Sequence, residues 1–170
     1  MDQINQVVTS KNLKMIKLKS IFFVCASVFL FASCDGNRIF EENHTVGDGG
    51  WAMEDVKTFN IPITDTMSAL NIYVNLCTST DYPYSNIYLF MESSYPNGYN
   101  DLDTLDLILA QKDGQWLGEN SGTVIENRFM IASGGRFPTA GDYVFKIQHA
   151  MQDAVLPEVI DVGMRVEIRD

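Results

Sequence analysis

Residues 51–170 of this 170-residue sequence predict an all-β domain, a two-sheet antiparallel β-sandwich of about eight strands with jelly-roll-like or Greek-key connections. Two observations carry the prediction. Apolar residues recur at every second position through most of the stretch, and the spacing of an amphipathic helix is never sustained. Between the alternating segments stand Gly, Pro, Asn and Asp at the short intervals that separate strands.

The first strand holds Phe59, Ile61 and Ile63, and Pro62, which has no N–H to give a ladder, confines it to a sheet edge or a bulge. Leu70, Ile72, Val74 and Leu76 make the second, with Asn71, Tyr73 and Asn75 on its other face. In the third, Ile87, Leu89 and Met91 alternate with Tyr88 and Phe90, the pattern of a strand covered on both sides. Tyr95-Pro96-Asn97-Gly98 then turns the chain, the Asn-Gly pair tolerating positive φ. Leu105, Leu107 and Leu109 follow, then a turn at Lys112-Asp113-Gly114 and the short apolar pair Trp116-Leu117. Phe129 and Ile131 lie on a strand that ends at Gly134-Gly135. Tyr143, Phe145 and Ile147 form the next, entered through Phe137-Pro138 and Gly141. The last, Ile160-Val162-Met164-Val166-Ile168, alternates strictly and places the C-terminus in a sheet.

Ahead of the sandwich the chain is organised for export. Lys17 and Lys19 precede an uninterrupted apolar run, Ile21 to Phe31, of 11 residues. That length suits a signal segment and falls short of the roughly 20 residues that span a bilayer. Phe31-Ala32-Ser33-Cys34 then resembles the lipobox of bacterial lipoproteins. The resemblance implies cleavage between Ser33 and Cys34 and a diacylglyceryl group on the Cys34 sulfur. Two acyl chains at about 0.8 kcal/mol per buried CH₂ anchor a protein stably without a spanning helix. Residues 15–33 are thus read as the signal peptide and 1–14 as an upstream extension, with translation expected to start at Met15. Residues 34–50, which lack an apolar period and close on Gly47-Asp48-Gly49-Gly50, are read as a flexible tether. Asp35 next to the cysteine is followed by Arg38 instead of an acidic run, and the expected location is the outer membrane, facing the periplasm.

Charge narrows the partners. Four of the 12 Lys and Arg and one of the 22 Asp and Glu precede Cys34, so the processed chain carries 8 cations against 21 acids, a net charge of −13. Nucleic acid and anionic lipid surfaces repel such a chain. With Cys25 removed and Cys34 acylated, Cys77 is the remaining cysteine, no intrachain disulfide is expected, and its plain reading is a small buried side chain in a strand.

A set of motifs in a fixed order points to a family: Gly50-Trp51, Tyr82-Pro83-Tyr84-Ser85-Asn86, Pro96-Asn97-Gly98, Asp103-Thr104-Leu105, Gly114-Gln115-Trp116-Leu117-Gly118, Gln148-His149-Ala150-Met151 and Asp161-Val162-Gly163-Met164-Arg165. Together they resemble the GldH gliding-motility lipoproteins of Bacteroidetes, over about Trp51 to Glu167. Departures fall at Glu119-Asn120 and at Gln152. The resemblance implies a membrane-tethered envelope component whose partners are proteins of a gliding or secretion assembly, with no enzymatic chemistry and no cofactor.

Chemistry read from the residues agrees. His44 and His149 lack Cys or His at ligand spacing, which disfavours zinc, and no strand-turn-helix serine elbow accompanies them. Asp101, Asp103 and Asp106 lack the glycine and terminal glutamate of a calcium loop, and Asp101 and Asp103 read as the start of a strand. Six of the seven tyrosines fall between Tyr73 and Tyr99. Tyrosine joins flat apolar area to a polar tip, which suits a protein anchor or a glycan platform. Tyr82, Tyr84 and Tyr95, beside Pro83 and Pro96, are the candidate binding surface, and a carbohydrate-binding module is the alternative reading of the domain.

Overall fold

The computed structural model describes residues 36–169; Cys34, the signal segment 15–33 and the extension 1–14 lie outside them. Eleven strands are present among the described residues: β1 (Arg38–Thr45), β2 (Trp51–Ala52), β3 (Lys57–Ile63), β4 (Leu70–Ser79), β5 (Asn86–Ser94), β6 (Asn100–Ile108), β7 (Glu119–Ser121), β8 (Val124–Gly135), β9 (Gly141–His149), β10 (Val155–Leu156) and β11 (Val159–Ile168). They form a five-stranded sheet in the order β1-β11-β4-β8-β7, a four-stranded sheet in the order β3-β9-β5-β6, and a small β10-β2 pair. All pairings are antiparallel. The all-β sandwich is as expected; the strand count is eleven instead of about eight.

Period two built both sheets. Val74 and Leu76 of β4, Val162, Met164 and Val166 of β11 and Ile125 of β8 are buried, and so are Phe59, Ile61, Tyr143, Phe145, Ile147, Ile87 and Leu89 of the four-stranded sheet. Each side chain of this class contributes about 1.5–3 kcal/mol on burial, and the core they share is the main stabilising term. Pro62 does sit on an edge, since β3 ends its sheet. The hairpin turns are where the sequence placed them: Gly98 at φ 83° and Gly114 at φ 87° adopt the left-handed conformation that glycine tolerates best.

Three expectations are corrected. The segment read as a tether contains β1, which pairs with β11 from Arg38 to Thr45, so the folded unit starts at Asn37 and not at Trp51. β1 lies at the sheet edge and shows only Ile39 and Phe40 as apolar residues, too few for a period to register. Cys77 is on β4 as expected, but it faces outward and is only partly buried. Tyr88 and Phe90 are 41% and 43% exposed, so β5 is covered on one face only. His149 does close a strand, β9, and is fully buried with its ring edge-on to Trp51 at 5.3 Å, and Trp51 donates from Nε1 to the Asp55 carbonyl at 2.7 Å.

Candidate functional site: a polar cleft on the five-stranded sheet

Tyr82, Tyr84 and Tyr95 do not share a surface. Tyr82 is 4% exposed, belongs to the core, and donates to the Asn86 carbonyl at 3.2 Å; burial pushes its phenol well above the usual range. Tyr84 is the exposed member, stacked edge-on to Tyr82 at 5.8 Å and donating to Asp153 Oδ2 at 2.5 Å. Tyr95 is half-buried at the far end of β5, edge-on to Tyr99 and Tyr143 at 5.3 Å each. A nine-residue strand separates the two groups, about 30 Å at ~3.4 Å per residue. The other groups considered for chemistry do not converge either. Asp106 points to the opposite face of β6 from Asp101 and Asp103, as the period of a strand requires. Burial lowers the His149 imidazole from its ordinary value, with the Trp51 backbone, Asp153 and Glu54 only partly opposing it.

The structure assembles a different set of residues on the outward face of the five-stranded sheet. Antiparallel register puts directly paired residues on one face, and the pairings lay side chains out in rows. One row runs Glu41, Arg165, Tyr73, Met130; the next Asn43, Gly163, Asn75, Arg128; the third Thr45, Asp161, Cys77, Glu126, Glu119. Over the second and third rows lies a cleft of about 750 Å³, floored by Asn43, Asn75, Cys77, Glu126, Arg128 and Asp161. Ile108 and Leu117 form its wall. They flank the turn between β6 and β7, where Ala110 bridges Trp116 and the Leu117 N–H donates to the Leu109 carbonyl at 2.8 Å.

Electrostatics divide this face. At one side Glu41 gathers three arginines: Arg165 at 2.9 Å, Arg38 at 3.0 Å and Arg128 at 3.3 Å. Burial alone would raise the Glu41 carboxyl; the bonds from Arg38 and Arg165 and the Arg165 and Arg128 charges outweigh it and hold the group below the usual carboxylate value. Asn75 joins in, donating to Glu41 at 3.3 Å and accepting from Arg128 Nε at 3.1 Å. Arg165 is 6% exposed and also pairs with Glu167 at 2.8 Å, so its charge is matched where water is scarce. At the other side Asp161, Glu126 and Glu119 have no ion pair among the described residues. Between them burial, then the Asp161 and Glu126 charges, push the Cys77 thiol up, which keeps it neutral and unreactive.

Gly163 makes the floor possible. A Cβ there would fall 1.8 Å from Asn43 Oδ1 and 2.8 Å from the Glu42 carbonyl oxygen, so only glycine lets Asn43 lie across β11. Sequence reading noted Asn71, Tyr73 and Asn75 as an outward face but missed the cleft, because its other walls come from β1, β8 and β11 and only the register brings them together.

The GldH lipoprotein family model matches residues 38–166, a span that includes both sheets and the cleft. A gliding motility lipoprotein GldH homolog of Christiangramia forsetii is 30% identical over 158 residues, covering 89% of this chain and 96% of the relative. The gliding motility lipoprotein GldH of Flavobacterium johnsoniae is 28% identical over 162 residues, covering 91% and 100%. The match begins at β1, in agreement with the folded unit beginning there. This chain belongs to the GldH lipoprotein family.

Proposed function

We propose that the protein is a non-catalytic, lipid-anchored component of the cell envelope, acylated on Cys34, held at the outer membrane facing the periplasm, and supporting a gliding apparatus and its associated secretion. The family match over nearly the whole folded unit carries this reading. The side-chain chemistry supports it: His149 is buried, the Cys77 thiol is held neutral, and the β6 carboxylates diverge. An assembly component works by contact, and the acid-rich outward face offers one.

Membrane fractionation and colony spreading of a Cys34→Ala strain test the proposal. The variant is expected to leave the membrane fraction and to abolish spreading in an organism that glides. Full spreading by a chain no longer in membranes would overturn it. Mild crosslinking of the native lipoprotein is expected to recover envelope proteins. Of its three candidates a glycan-binding reading retains Tyr84, alongside the exposed rings of Tyr88, Phe90 and Tyr99; a glycan array of the processed chain with no bound sugar ends it.

A further inference from the structure

The cleft combines three features. Its chargeable lining is acidic: Glu41, Glu119, Glu126 and Asp161 against Arg128, which Glu41 and Asn75 already hold. Its wall is aliphatic and open, Leu117 being 53% and Ile108 48% exposed. Lastly, the cleft borders an unfinished sheet edge. β7 covers only Val124 to Glu126 of β8, and the Glu119–Glu126 rung is its last. From Asn127 to Gly135 β8 pairs with β4 alone.

We propose that this cleft docks an extended, basic segment of a partner protein, a strand-like stretch in which lysine or arginine alternates with aliphatic residues. The proposal rests on the reading above that the domain works through protein contacts. An extended chain crosses the outward face transverse to the strands, from Asp161 on β11 to Glu119 beside the open β8 edge. Its cations meet the Asp161-Glu126-Glu119 row, and its aliphatic side chains cover Leu117 and Ile108. Charge selects this occupant. A second copy would set the same unpaired carboxylates against each other, and an anionic lipid surface is repelled by the same row.

The test uses the processed lipoprotein in zwitterionic-lipid nanodiscs and two fluorescent nonapeptides, one alternating Lys with Val and one alternating Glu with Val. Anisotropy is expected to show the basic peptide binding, with affinity falling on added salt, and the acidic peptide not binding. The double variant Glu126→Gln, Asp161→Asn is expected to weaken the basic peptide about tenfold or more. Equal affinity for both peptides, or no change in the double variant, would overturn the proposal. A benzophenone side chain at Leu117 gives a readout that does not depend on that variant folding. It should label the basic peptide, whereas one at Met67, 77% exposed and outside the cleft, should not; equal labelling counts against the cleft. Because the assay needs no cells, its failure beside a normal Cys34→Ala phenotype removes only the cleft assignment. Peptide binding with spreading unaffected in the Cys34→Ala strain removes the gliding role instead.

Discussion

His149 shows how a single side chain couples this fold to pH. Its ring sits against Trp51 with no exposed surface, and burial depresses its affinity for a proton. The unfolded chain therefore binds that proton more readily than the folded one. His149 contributes its full stability above the unfolded value near 6.5, and the contribution is lost as pH falls from there toward the lowered folded value. Melting temperature is expected to drop between pH 7.5 and pH 5.5, by about 3–5 °C per pKa unit of depression. His149→Leu should flatten that segment of the curve; an equally steep fall in the variant would assign the titration elsewhere. Glu41 acts in a separate window. Its lowered carboxyl stabilises the fold above the ordinary value of 4.5 and loses that effect as pH falls through its folded value.

At the level of elements, legibility followed face and length. β4, β5, β9 and β11 each bury one face under the other sheet, so their alternation was plain in the sequence, and Pro62 announced the edge position of β3. β2, β7 and β10 have two or three residues, too few for any period. β1 escaped for a different reason. Its outward residues belong to an ion-pair network and look, in sequence, like a solvated linker. The candidate site suffered the same fate: Tyr82 was legible as a tyrosine but not as a core one, nor Tyr95 as half-buried, while the cleft is a property of register. That register hinges on Gly163 where β1 crosses β11. Gly163→Ala is expected to force Asn43 and the β1 backbone away and to destabilise the domain by about 1–3 kcal/mol in urea unfolding. An unchanged midpoint would mean that β1 accommodates the methyl group by sliding.

Across the whole molecule, an acidic domain with one neutralised patch stands out. The three arginines around Glu41 join β1 to β11 and β8, so the edge strand is fastened by side chains as well as by its backbone ladder. Under the proposed anchoring at Cys34, that fastening becomes a mechanical part. Tension entering at Arg38 and opposed from the Val159 end of β11 loads the β1–β11 hydrogen bonds in shear, where they resist together, and the Glu41 contacts lie inside the loaded segment. Single-molecule pulling between the N-terminus and a handle at Glu158 is expected to rupture the domain at a distinctly lower force in Glu41→Ala than in the parent. Equal rupture forces would show that the ladder alone bears the load. In the lipoprotein proposed above, moored at Cys34 in a gliding envelope, the strand that sequence alone disguised as slack is the point where traction would enter the fold.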